Sequence, residues 1–260
     1  MKTSSTHNKD KWLIGLAKVC DFGTSLVRTV FMAVLALLLI YNAYVVYDLW
    51  AMFRGAALSD NVIAYKPQLN NLDGTNSSLL ELQKINNEAV AWITVDDTAI
   101  DYPVLQGPDN YKYVNAKLEG GQSMSGEIFL DSNNSSDFSD WYNILYGHNM
   151  DFDHMFGGLT KYSDINYMKS HQRGHIFLPE KTYEIEIFAQ CNAFSSDSLF
   201  FNPDKADVAN RERLLERVKS NANVYIDIGA SVNDQIVALS TCDGYAFDDR
   251  IVVLARMTPL

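Results

Sequence analysis

Ala238-Leu-Ser-Thr-Cys242-Asp-Gly-Tyr-Ala-Phe-Asp-Asp-Arg250-Ile-Val-Val-Leu-Ala-Arg-Met257 holds two apolar, β-prone runs joined by a short polar turn. A cysteine ends the first run and an arginine opens the second. As neighbouring antiparallel strands, the two runs bring a thiol and a guanidinium together at one end of a sheet. A thiol beside a fixed cation is a nucleophile with an anion stabiliser at hand. Each residue alone has a plainer reading. Cys242 reads equally well as a buried structural thiol, and Arg250 as a solvated strand-start residue paired with Asp248 or Asp249.

Further β-prone runs precede this pair, separated by turn signals: residues 91–95, 101–105, 126–130, 141–146, 175–178, 183–191 and 223–227. Many short strands at this spacing predict a mainly β sandwich or closed barrel. Leu79, Leu80, Leu82 and Ile85 fall at helical spacing over 78–85, with Asn76 or Ser77 available as N-cap. Residues 202–219 read as an inserted helix, with Pro203 in its first turn and Val208, Leu214, Leu215 and Val218 as its apolar stripe.

At the other end of the chain, no charged residue lies between Arg28 and Asp48. About 19 apolar residues are enough to span a hydrocarbon core as a helix. Lys2, Lys9, Lys11, Lys18 and Arg28 precede the stretch, which predicts a cytoplasmic N-terminus and an exported remainder. Tyr41, Tyr44, Tyr47, Trp50 and Phe53 crowd its outer end as an interfacial belt would. Gly55-Ala-Ala57 offers a signal-peptidase site, but the apolar run exceeds a typical h-region, so a retained anchor is the reading preferred. The expected plan is a cytoplasmic segment over 1–28, a membrane anchor over 29–50, a stem over 51–77 and a catalytic domain over 78–260. Residues 1–53 carry a net charge of +2, which leaves −13 of the total −11 on the rest. Such an acidic surface repels phosphate backbones, so nucleic acid is excluded as a partner.

Of the three cysteines, Cys20 falls on the cytoplasmic side, leaving Cys191 and Cys242 outside. Pairing of these two is open, although the exported part is long enough to bury a core without staples. Alternation puts Tyr183, Ile185, Ile187, Ala189 and Cys191 on one face, so Cys191 reads as a small buried hydrophobe. Among five histidines, His7 lies on the wrong side of the membrane, and His154, His171 and His175 sit in contexts that imply no geometry. His148 follows Ile144-Leu-Tyr-Gly147, and at a strand end turned out by glycine its imidazole can reach a neighbouring sheet edge. Asp131-Ser-Asn-Asn-Ser-Ser-Asp137 opens like a calcium loop. It has Ser136 where glycine is required and Tyr142 where the bidentate glutamate belongs, so a polar surface loop is expected. Asp151 and Asp153 are too few to specify an ion, so no metal is expected.

Leu239-Ser-Thr-Cys242 followed by Arg250 resembles the signature that ends sortase domains, and Tyr146-Gly-His148-Asn-Met150 resembles their histidine segment. Ala91-Trp-Ile-Thr-Val95, Ile100-Asp-Tyr-Pro-Val-Leu-Gln106 and Gly126-Glu-Ile-Phe-Leu-Asp131 are similar to their early strands. The resemblance covers residues 78–257, and the N-terminal helix and the long helix near 204–219 point to class B. It implies a closed eight-stranded β-barrel, anchored by one transmembrane helix on the outer face of a Gram-positive cell. It also implies a cysteine transpeptidase, without cofactor, that cuts a sorting signal of secreted surface proteins and joins the new end to a peptidoglycan precursor amine. Class B further implies an Asn-Pro-x-Thr type of signal. In that mapping Cys242 is the nucleophile, His148 the general acid and base, and Arg250 the oxyanion or substrate-positioning residue, with Ser240, Thr241, Asp243 and Asn149 along the substrate groove. Two departures stand out: Ala238 replaces a common threonine, and the 243–249 turn is short for class B. A pilin-joining sortase, a hydrolytic cysteine protease and a non-enzymatic binding barrel are the competing readings.

Overall fold

The computed structural model describes residues 4–56, 58–69, 75–203, 207–242 and 248–260, the side chains of 4–11, Arg54 and Cys242 excepted. The chain divides into two units, Met1–Ala51 and Met52–Leu260. Helix α1 (Ser4–Ala56) fills the first. Its segment Trp12–Phe53 is long and apolar enough to cross a membrane, and the most apolar part is unburied.

In the second unit, nine strands are found among the described residues: β1 (Ala89–Val95), β2 (Asp101–Leu105), β3 (Ile128–Leu130), β4 (Tyr142–Tyr146), β5 (Arg173–Phe177), β6 (Thr182–Phe194), β7 (Val224–Tyr225), β8 (Gln235–Cys242) and β9 (Asp249–Pro259). Each overlaps one of the β-prone runs of the sequence. Their order is β5-β1-β2-β3-β4-β8-β9-β6, and β5 pairs with β6 to close an eight-stranded barrel. The two-residue β7 adds only to the β6 edge beyond β5. Strand alternation sorts the side chains. Leu145, Val237, Leu239, Val253 and Ala255 join the central core, whereas Ile144, Ile236, Ala238, Val252 and Leu254 face an outer layer.

That outer layer is capped by helix α4 (Val208–Asn221) through Leu214 and Val218. The helix starts later than expected. The Asp207 carboxylate accepts the Asn210 N–H at 2.8 Å, so a side-chain cap rather than Pro203 sets the first turn. Val208, expected in the apolar stripe, is 59% exposed. On the opposite outer face, helix α3 (Ser77–Ile85) lays Leu79 and Leu82 against Trp92, Leu105 and Phe129. Asn76 is its N-cap residue but gives no side-chain cap. Its amide instead donates to the Leu178 carbonyl at 2.6 Å and to Thr182 Oγ1 at 3.1 Å, tying the helix start to the β5–β6 turn.

Three other expectations change. Cys191 is buried and free, so it is not in a disulfide. It does not, however, share a face with Tyr183, Ile185 and Ile187. A bulge against β9 between Ile187 and Ala189 shifts the parity, so Ala189 and Cys191 pack in the outer layer. The 131–137 segment is not a surface loop throughout, because Asp131 and Asn134 are buried. Asn134 Nδ2 donates to the Tyr142 carbonyl at 2.8 Å, and Gln106 Nε2 donates to the carbonyls of Asp131 and Asn134. Finally, part of the segment read as stem is packed: Val62 of helix α2 (Asp60–Ile63) is buried with Leu58 and Tyr65 beside the α3 layer.

Glu127, just before β3, is half-buried, its carboxylate accepting the Leu118 N–H at 2.9 Å. Burial pushes its pKa up to about 7 from 4.5. A raised carboxyl pKa means the folded state holds the proton more tightly. Its stabilisation is therefore complete below pH 4.5 and is lost as pH rises through 7, by about 3 kcal/mol for a shift of this size. Glu127→Gln keeps an acceptor for Leu118 without the titration. Thermal melts between pH 5 and 8 are expected to show a smaller decline for the variant than for the parent; parallel curves would contradict this.

Candidate active site

Three neighbouring strands bring the chemistry to one rim of the barrel. β4 and β8 run parallel, with Tyr146 opposite Ser240. The Gly147 N–H continues the ladder, donating to the Ser240 carbonyl at 3.1 Å. His148 thus lies two residues past Tyr146, as Cys242 lies two past Ser240. β8 and β9 are antiparallel, and their last register pair is Cys242 with Arg250. His148, Cys242 and Arg250 therefore stand at adjoining strand ends.

Glycine at 147 has a packing cause. A Cβ there would overlap the Ile128 side chain and come within 2.8 Å of the Phe156 ring, so only glycine lets β4 leave the core at this point. The His148 Nε2 lies 2.9 Å from the Val114 carbonyl oxygen. A carbonyl only accepts, so Nε2 carries the hydrogen and Nδ1 is the nitrogen left to exchange a proton.

A groove of about 530 Å³ is lined by His148, Arg250, Ser240, Thr241, Tyr146 and Val114, with Asn110 and Phe201 on its other walls. Ser240 and Thr241 are buried, and neither hydroxyl has a hydrogen-bond partner among the described residues. An unpaired buried hydroxyl costs about 1–3 kcal/mol, which a polar ligand group in the groove would recover. Under the floor lies the buried Asp131. Tyr146 Oη and Asn110 Nδ2 each donate to its Oδ2 at 2.9 Å, and the Asn133 N–H donates to Oδ1. Burial and the neighbouring Asp131 push the Tyr146 hydroxyl far above its usual range, so it stays neutral.

Of the residues expected in the substrate groove, Ser240 and Thr241 line this cavity, whereas Asn149 lines a second groove beside it. Asp243 and the 243–247 part of the turn lie outside the described residues. Tyr146 and Asp131 stand inside the quoted motifs, where the sequence alone gives Tyr146 no role and Asp131 only a place in a polar loop. Asn110 and Phe201 carried no local signal, since each arrives from a distant loop. Among the described residues, no group of three or more His, Cys, Asp and Glu is placed to hold a metal ion.

No protein-family model matches the chain. Sortase B of Listeria monocytogenes is 34% identical over 174 residues, covering 66% of this chain and 70% of that protein. A Staphylococcus aureus sortase B–substrate complex superposes with a TM-score of 0.66 at 29% identity, covering 71% of this chain and 86% of the other. A Streptococcus pyogenes class B sortase involved in pilus biogenesis gives a TM-score of 0.64 at 35% identity, covering 68% and 96%. Fold and likeness together define a sortase. The chain belongs to the class B sortases, the sortase B family of cysteine transpeptidases.

Proposed function

We propose that this chain is a membrane-anchored sortase that cleaves a C-terminal sorting signal after threonine and passes the protein to a peptidoglycan amine. The observation that carries the reading is the row of strand ends, with Cys242 opposite Arg250 and His148 two residues beyond the end of the neighbouring β4. In this reading residues 1–28 are cytoplasmic, 29–50 span the membrane, and the domain over 78–260 works outside the cell.

The Cys242 thiolate attacks the scissile carbonyl carbon, and Arg250 with backbone N–H groups steadies the oxyanion. Protonated His148 gives its proton to the departing amine as the C–N bond breaks, leaving a thioester. An incoming neutral amine then attacks that thioester. A new C–N bond forms, the C–S bond breaks, sulfur leaves as thiolate, and the surplus proton goes to His148. Ser240 and Thr241 supply polar contacts along the bound signal. The pilus-linked Streptococcus pyogenes relative favours a second reading, in which the acceptor is a lysine side chain of a pilin subunit.

The test uses the full chain in detergent with peptides of the Asn-Pro-x-Thr type. Added triglycine is expected to divert the product from the free acid to the glycyl adduct. Hydrolysis undiminished by any amine would overturn the reading in favour of a protease. Transfer to a lysine side chain but not to triglycine would favour the pilin reading.

A further inference from the structure

The mechanism above gives no task to the cluster under the groove floor, whose centre is Asp131, just past β3. Asp131 is 1% exposed, and all its polar atoms are engaged. Its N–H donates to the Ile144 carbonyl at 2.9 Å, and its own carbonyl accepts from Gln106 Nε2 at 2.9 Å and from the Asn134 N–H at 3.0 Å. Those bonds fasten the backbone without the carboxylate, so the fold alone gives no reason for a charge here. Burying a charged group costs several kcal/mol, and a neutral side chain would fill the place at less cost.

The carboxylate is directed instead at two residues that line the groove beside His148 and Arg250. Tyr146 Oη and Asn110 Nδ2 both donate to its Oδ2 at 2.9 Å. Asn110 Oδ1 in turn accepts the Ser132 N–H at 2.8 Å. With both ends held, the Asn110 amide cannot flip, and one Nδ2 hydrogen remains for a ligand. The Tyr146 ring is backed by Phe129, with centroids 5.4 Å apart. Its proton is committed to Asp131, which leaves the phenol oxygen as an acceptor only. Tyr146 sits opposite Ser240 and two residues before His148, about 7 Å along the strand. The Arg250 charge reaches the same phenol, drawing its pKa down against the larger effects of burial and Asp131.

A neutral amide of the same shape cannot replace this carboxylate. Three donors converge on it, from Tyr146, Asn110 and the Asn133 N–H, and an amide offers a single acceptor oxygen. With that oxygen turned to the Asn133 N–H, the NH₂ group faces Tyr146 and Asn110. Tyr146 must then accept from it and point its own proton into the groove, while the Asn110 amino group meets another donor. Turned the other way, the NH₂ group opposes the Asn133 N–H. Either way the hydrogen-bonding polarity of the groove wall is reversed or left unsatisfied.

We infer that Asp131 is a positioning residue for the bound sorting signal, its carboxylate holding Tyr146 as an acceptor and Asn110 as a donor at the groove wall. The inference rests on the transpeptidase reading, which makes this groove the one that takes the signal. The experiment uses the full chain in detergent carrying Cys242→Ala, so that binding is read apart from chemistry. Labelled peptides of the Asn-Pro-x-Thr type are followed by fluorescence anisotropy. The Kd is expected to rise about 10-fold with Asp131→Asn and with Tyr146→Phe, and about 5-fold with Asn110→Ala. Asp131→Asn and Tyr146→Phe together are expected to weaken binding little beyond either alone, because both remove the same acceptor. Effects that multiply would overturn the inference. So would a Kd left within about twofold by Asp131→Asn while thermal unfolding shows lost stability, the mark of a structural role. Should Asp131→Asn fail to fold, Tyr146→Phe and Asn110→Ala leave the carboxylate in place, and an unchanged Kd in both overturns the inference equally. With Cys242 restored, single-turnover acylation is expected to show a half-saturating peptide concentration that moves with the Kd and a limiting rate lowered less than about threefold. Peptide that binds in this pattern but is never acylated counts against the transpeptidase reading and not against Asp131. Peptide that does not bind the chain with Cys242→Ala alone counts against both.

Discussion

Cys242→Ala is expected to abolish acyl-enzyme formation, and Arg250→Lys to lower it by about 10²–10³-fold, with little change in folding. The first follows from covalent catalysis: without the thiolate no bond to the acyl carbon forms, and loss of about 10⁴-fold or more is usual for a nucleophile. The second is the more informative. Lysine keeps the charge at the start of β9, where Arg250 faces the groove, but offers a point ammonium in place of a planar fork. Losing one well-aimed oxyanion donor costs about 10²–10³ in rate. A rate for Arg250→Lys within a few-fold of the parent would mean that the guanidinium supplies only long-range charge. Single-turnover kinetics with an Asn-Pro-x-Thr peptide separates the two outcomes.

The largest structural effect is expected at Gly157. A Cβ at this buried position would overlap the Met150 carbonyl oxygen and lie 2.9 Å from its carbonyl carbon. Backbone cannot swing aside as a side chain does, so Gly157→Ala forces the 150–157 segment to move and costs about 3–5 kcal/mol. For a domain of this size that corresponds to a melting temperature lowered by roughly 10 °C. Since the Phe156 N–H bonds the His148 carbonyl, the same shift disturbs His148. Gly158→Ala is the control, because a Cβ there meets nothing nearer than Asp153 Cβ at 3.6 Å. It is expected to change stability by less than about 1 kcal/mol. Equal losses for the two variants, read by thermal unfolding, would refute the packing argument.

The strand ends that build the rim were legible because alternation and turn chemistry are local. Residues 235–241 and 250–257 declare two strands by their apolar runs, and Gly147 marks where β4 stops. The β8–β9 register then follows from a short connection. What escaped the sequence depends on distant partners. The bulge that turns Cys191 outward is imposed by pairing with β9, some sixty residues away. Asp131 looked like a loop residue, because its partners Asn110 and Tyr146 come from separate segments. The pairing of β1 with β5, and the parallel pairing of β4 with β8, join elements that no local pattern links. The start of α4 escapes for a nearer reason: Pro203 and Asp207 can each begin a helix, and the Asp207 side chain makes the actual hydrogen bond.

The central claim is that Cys242 carries the acyl group, and intact-mass spectrometry followed by peptide mapping tests it most directly. The full chain is incubated with a peptide library containing Asn-Pro-x-Thr sequences and quenched in acid. The account requires an adduct equal to the library peptide up to its threonine, found on the fragment holding Cys242 and absent in Cys242→Ala. Cys191, buried and with its thiol pushed up to about 12, should remain unmodified. An adduct on Cys191, or peptide cleavage with no adduct at Cys242, would contradict it.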